Sequence, residues 1–168
     1  MRPSAAAAAT ARSLLVWGGV DAGGRPYLEP ALVVDAPPVL PVGGGDNEVT
    51  GLTAGGEELF SLRFGMPEVG GSGGGSSFVF AIPVEVEWED RLARITLSGP
   101  GGNATLDRDT DRPMVILRNP ETGQVRGILR DSSVEGLVDA VGRAGRFALR
   151  GLEVATSRGI PGSGAWRR

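Results

Sequence analysis

Residues 76 to 88 read SSFVFAIPVEVEW, and the alternation in this stretch decides the fold. Phe78, Phe80, Ile82, Val84, Val86 and Trp88 fall on one side of an extended chain, opposite Val79, Ala81, Pro83, Glu85 and Glu87. Successive side chains of a strand point to opposite faces, so a period of two predicts a strand with one buried face. Pro83 brings no N–H to a ladder, which places this strand at an edge or breaks it there.

The same period recurs outward from this segment. In LFSLRF (59–64), Phe60, Leu62 and Phe64 point one way and Leu59, Ser61 and Arg63 the other. Further strands are predicted over Leu14–Val20, Tyr27–Val34, Glu48–Leu52, Leu92–Ser98, Ala104–Asp107, Met114–Arg118, Val125–Arg130 and Leu152–Thr156. Between Met114 and Arg130 the text ILRNPETGQVRGIL reads as a hairpin, with Asn119 opening the turn, Pro120 presetting its own φ and Gly123 supplying a left-handed position. One short helix is predicted near 133–142, where Ser132 and Glu135 form a capping box ahead of Val134, Leu137, Val138 and Val141. The expected fold is therefore all-β and mainly antiparallel, a β-sandwich of about 8–10 short strands with that one helix.

A chain of 168 residues fits one domain. Residues 1–12, with five consecutive alanines, are read as a disordered leader, because alanine makes a weak apolar segment for a secretion signal. Residues 13–168 are read as a single β-sandwich-like domain, interrupted by a flexible loop at 70–77, GGSGGGSS. No window approaches the roughly 18 apolar residues that would span a bilayer.

The chemical inventory excludes whole classes of function. Every one of the 17 basic residues is arginine, and histidine and cysteine are absent as well. Histidine triads, thiol nucleophiles, lysine Schiff bases and most zinc sites are thereby ruled out for this chain. A formal net charge of -3 offers no field to attract nucleic-acid phosphates or an anionic membrane. No cofactor is expected, since neither GGSGGGSS nor Gly99–Gly102 (GPGG) carries the lysine of a phosphate-binding loop or lies between a strand and a helix.

Three residue sets retain chemical interest. Asp107, Asp109 and Asp111 alternate in TLDRDTDRP like the start of a calcium loop, without its central glycine and closing glutamate. Arg108 and Arg112, interleaved with them, also fit plain charge neutralisation on an exposed turn. Glu85, Glu87, Glu89 and Asp90 cluster around Trp88 and are the carboxylates a histidine-free hydrolase would draw on, although Glu85 and Glu87 equally fit a solvent-facing strand surface. Trp17, Tyr27 and Trp166 are the aromatics not committed to a core position, and a ring face can stack on the apolar face of a sugar.

Taken together, the phrases EPALVVDAPPVLP, EELFSLRFGMPEV, SSFVFAIPVEVEW, LARITLSGPGGNATLDRDTDRPMVILRNPETGQVRGIL and SRGIP resemble the C-terminal β-sandwich module of large secreted bacterial proteins, some of which carry metallopeptidase domains upstream. The resemblance covers about residues 13 to 168. It implies a non-catalytic accessory or interaction module, exported through its parent protein to the medium or the cell surface, with a neighbouring domain or a protein as partner. The cysteine-free composition is also compatible with the cytoplasm. Peptidase chemistry in such parents lies in a zinc domain with a HExxH-type motif, which a histidine-free chain does not supply. Two rival readings stand beside it: a carbohydrate or cell-surface binding module with a polysaccharide partner, and a carboxylate-based hydrolase.

Overall fold

The computed structural model describes residues 12–66, 74–85, 87–122, 124–130, 148–149 and 151–162. At its centre runs β1 (Arg12–Val20), RSLLVWGGV. Antiparallel to it on one side lies β6 (Ser76–Pro83), in register from Ser13↔Pro83 to Val20↔Ser76. Its other side is taken in succession by β2 (Pro26–Leu28), which pairs with Gly18–Val20, and β3 (Leu32–Asp35), which pairs with Arg12–Leu15.

The single strand expected over Tyr27–Val34 is thus two. Val20 pairs with Pro26 and Gly18 with Leu28, but Leu15 pairs with Leu32 instead of Ala31, so the returning chain carries one extra residue. That residue is accommodated around Pro30, which has no N–H to give the ladder and is tolerated where pairing is already interrupted. The Pro30 carbonyl accepts the indole N–H of Trp17 at 3.0 Å, and the Glu29 N–H reaches the Trp17 carbonyl at 3.0 Å.

A second sheet has the order β5-β4-β7-β8, built from β4 (Asn47–Leu52), β5 (Glu58–Phe64), β7 (Arg94–Gly99) and β8 (Gly102–Asp107). Its inner side chains Val49, Phe64, Ile95, Leu97 and Leu106 meet Leu14, Val16, Leu28, Phe80 and Ile82 of the central sheet in one core. The predicted alternation of Phe60, Leu62 and Phe64 and of Phe78, Phe80 and Ile82 is what brings these two faces together. Phe64 lies 4.7 Å from Phe78 and 4.8 Å from Phe80, ring centre to ring centre. Each fully buried side chain of this size contributes roughly 1.5–3 kcal/mol.

The outer face of that sheet is polar, and one pair on it is testable. Ser61 Oγ donates to Glu48 Oε1 at 2.6 Å, and Arg63 lies 3.5 Å from the same oxygen. The Ser61 hydroxyl holds the Glu48 carboxyl below its ordinary value against an opposing effect of burial, and the Arg63 guanidinium adds to the lowering. A lowered folded-state value stabilises the fold above the unfolded-state pKa, and the contribution is lost as pH falls through the folded one. Ser61→Ala is expected to raise the Glu48 pKa toward the ordinary range in an NMR titration of its carboxyl carbon. An unchanged value would remove the hydroxyl as the cause.

The run expected to stay extended from Phe78 to Trp88 does not. β6 ends at Pro83, and the chain turns into a short helix, α1 (Trp88–Arg91), after the Trp88 N–H bonds the Glu85 carbonyl at 3.0 Å. The Val84 N–H still reaches the Arg12 carbonyl of β1 at 3.3 Å before the chain turns, and Trp88 enters the same core, 7 % exposed and 5.3 Å from the Phe60 ring. The side of burial is as the alternation predicts; the backbone that delivers it is helical. The helix expected near 133–142 lies outside the described residues, and the helix among the described residues is α1.

A third sheet, in the order β10-β9-β12-β11, consists of β9 (Met114–Arg118), β10 (Val125–Leu129), β11 (Ala148–Leu149) and β12 (Leu152–Ser157). β9 and β10 form the predicted hairpin: the Asn119 side-chain oxygen accepts the N–H groups of Glu121 and Thr122, and the Asn119 N–H reaches the Gln124 carbonyl at 2.8 Å. Gly123 lies outside the described residues. Arg118 and Glu153, cross-strand partners, form an ion pair at 2.8 Å.

Met114, Ile116 and Ala155 of this sheet pack on Leu15, Trp17, Leu32 and Val34, which belong to the side of the central sheet facing away from the first core. The central sheet is therefore shared by two cores, and the fold is an all-β, sandwich-like stack in which β1 is buried on both faces. This is why LLVW carries no polar alternation: Leu14 and Val16 serve one core, Leu15 and Trp17 the other. After β12 the chain crosses back, with Ser157 Oγ donating to the Ala31 carbonyl at 2.6 Å, the Ala31 N–H reaching the Gly159 carbonyl at 2.8 Å, and Ile160 packing on the first core.

Candidate functional site

The third sheet covers only part of the central sheet. In a ladder, direct partners share a face. Trp17 pairs with Val79, and Gly19 pairs with both Tyr27 and Ser77, so these side chains stand together on the face whose other half holds Leu15 and Leu32. Gly19, between Tyr27 and Ser77 in the ladder, contributes no side chain there. Val79 is 55 % exposed.

From the neighbouring sheet comes Arg130, the residue after β10. Its guanidinium carbon stands 4.7 Å from the centre of the Trp17 ring, and Nη1 lies 2.7 Å from Glu29 Oε1. Glu29 is held by the irregularity at Pro30, where its N–H bonds the Trp17 carbonyl. Trp17, Tyr27, Glu29, Ser77, Val79 and Arg130 thereby line a cleft of about 400 Å³. That lies toward the small end of sites that take small ligands, which run from roughly 300 to 1,000 Å³.

The cleft offers distinct chemistry in a small space. Two aromatic rings and Val79 provide apolar surface; Arg130 has donors beyond the one used by Glu29; and among the described residues neither the Tyr27 nor the Ser77 hydroxyl has a hydrogen-bond partner. Of the aromatics expected to be free of the core, Trp17 divides its surface between the second core and the cleft, Tyr27 lies in the cleft, and Trp166 is outside the described residues.

The acidic sets predicted from sequence lie elsewhere. Asp107 uses its carboxylate in a turn, Oδ1 accepting the Asp109 N–H at 3.0 Å and the Thr110 hydroxyl at 3.1 Å. Asp111 pairs with Arg158 at 2.5 Å, and Asp109 is exposed. Among the described residues no three acidic side chains gather as metal ligands. Glu85, Glu87 and Asp90 are exposed around α1, Glu89 is buried beside Trp88, and none of the four lines the cleft.

The glycine-rich segments are structural where described. Gly99 pairs with Gly102 across a two-residue hairpin turn in which Gly102 has φ +118°, and Ser76 and Ser77 already belong to β6. Residues 70–73 lie outside the described residues. No helix among the described residues is long and apolar enough to cross a membrane.

Sequence reasoning did not single out Glu29, Val79 or Arg130. Glu29 and Arg130 are 101 residues apart, on different sheets, and no period or spacing connects them. The one available signal was Pro30, which marks Glu29 as a point where the ladder is interrupted. No protein-family model, curated protein or solved structure matches this chain.

Proposed function

We propose that this chain is a non-catalytic accessory module of an exported bacterial protein and that it contributes carbohydrate binding through the Trp17–Tyr27 cleft. The observation that carries the binding reading is the placement of an indole, a phenol and an Arg130–Glu29 pair around one open patch of the central sheet. Ring faces stack on the C–H face of a sugar, while a guanidinium and a carboxylate side by side donate to and accept from neighbouring hydroxyls. The resemblance of the strand phrases to modules of secreted bacterial proteins supports the accessory role.

A hydrolase needs more than the cleft provides. Glycoside hydrolysis uses two carboxyl groups flanking the bond, whereas among the described residues Glu29 is the one acid lining this cleft and it is engaged by Arg130. The decisive experiment is a depletion assay on insoluble cellulose, chitin, xylan and peptidoglycan, with assay of released reducing ends. Retention on at least one polymer without release is expected. Tyr27→Ala and Trp17→Ala should weaken retention by about tenfold or more, ~1.4 kcal/mol, with the fold checked by circular dichroism because Trp17 also packs on the second core. No retention on any of these polymers would overturn the binding reading, and release of reducing ends would overturn the non-catalytic one.

A further inference from the structure

The cleft continues past Tyr27. A second concavity of about 330 Å³ adjoins it, lined by Val20, Asp21, Gly75 and Ser76 together with the same Tyr27 and Ser77. Tyr27 and Ser77 flank Gly19 from opposite sides, one on β2 and one on β6, so they form a saddle between the two hollows. Both of their hydroxyls lack partners among the described residues. Along β1 the two hollows span Trp17 to Val20, roughly 10 Å at about 3.3 Å per residue, which exceeds one sugar ring.

The charges sort the ligand class. At one end Arg130 and Glu29 neutralise each other at 2.7 Å. At the other end Asp21 is fixed by its turn, Oδ1 accepting the N–H groups of Gly23 and Arg25 at 2.9 Å. Among the described residues the lining carries no uncompensated cation, and a polyanionic chain would meet the Asp21 carboxylate there.

We infer that the joined hollows form two subsites for a neutral oligosaccharide of at least two pyranose units, with Tyr27 and Ser77 shared between them. This rests on the carbohydrate reading above. It is tested by calorimetric titration of the full chain with glucose, xylose and N-acetylglucosamine, their β-1,4-linked dimers and trimers, and digalacturonic acid as an acidic probe. At least one neutral dimer should bind about tenfold or more tighter than its monomer, because a second ring adds stacking and hydrogen bonds.

Asp21→Asn keeps the turn acceptor, and Ser77→Ala alters an exposed hydroxyl; each should weaken the dimer by about threefold or more. Equal affinities for monomer, dimer and trimer would overturn the two-subsite proposal while leaving carbohydrate binding intact. Tighter binding of the acidic dimer would overturn the neutral-ligand assignment. Absence of binding for the whole series, with retention on a polymer lost as well, would remove the carbohydrate reading itself.

Discussion

Gly18→Val should lower the thermal midpoint by roughly 6–12 °C, about 3 kcal/mol at the 2–4 °C per kcal/mol expected for a chain of this size. A Cβ placed on Gly18 would collide with the Tyr27 carbonyl oxygen and stand 3.1 Å from the Leu28 Cα. The obstruction is backbone of β2, which cannot swing aside as a side chain can. Gly19 is bounded in the same way, by the Ser76 carbonyl and, at 2.9 Å, by the Ser77 Cα of β6. The two glycines let β2 and β6 close on the central strand from both sides. Gly44→Ala is the control, since nothing lies within 4 Å of the added Cβ, and a change within about 0.5 kcal/mol is expected. Equal midpoints for the Gly18 variant and this control would refute the close approach.

Trp88→Ala is expected to cost about 3–5 kcal/mol in chemical denaturation, the range for truncating a large buried aromatic. Trp88 stands 7 % exposed between the central and second sheets, against Phe60, at the start of a helical turn closed by the Leu92 N–H on the Trp88 carbonyl. Trp88→Phe preserves part of that contact and should cost less. A loss below about 1 kcal/mol for the alanine variant would mean that Trp88 does not close this core.

Trp88 also shows where periodicity stops informing. The alternation from Phe78 places every described large side chain of that run on the core side, because strand and core share one geometry up to Pro83. Beyond it, alternation cannot tell a continuing strand from a helical turn that lands the next aromatic on the same side. The LLVW run presents the opposite case. A strand buried on both faces has no polar phase, so Leu14–Val20 reads as an ordinary strand and its place between two cores stays hidden. Tyr27–Val34 reads as one strand because a one-residue irregularity leaves its composition unchanged, and Ala148–Leu149 is too short to register.

The candidate site was legible in halves. Trp17 and Tyr27 stand out in the sequence because neither sits in a clean alternating run, and they are indeed brought together, ten residues apart, by the β1–β2 hairpin. Arg130 and Glu29 join them only after two sheets have packed, and long-range packing of that kind leaves no local mark. The calcium-like and carboxylate sets were conspicuous in sequence for the opposite reason: local acidity is easy to see, but turn capping and ion pairing account for Asp107 and Asp111.

The stack of sheets gives the proposed binding role its physical logic. Among the described residues, a central sheet covered on one side by the second sheet and partly on the other by the third leaves a patch with aromatic surface and hydroxyls without partners. Rigid strands hold Trp17, Tyr27 and Ser77 in place before any ligand arrives, which limits the ordering cost of binding. The most direct test is a 15N–1H correlation spectrum of the labelled chain titrated with the oligosaccharide of whichever polymer retains it. The account predicts that the Trp17 indole N–H, donated to the Pro30 carbonyl, and the Ser77 and Val79 amides shift together, while resonances of the Thr50, Thr96 and Thr105 face of the second sheet do not. Shifts confined to any other surface would contradict it.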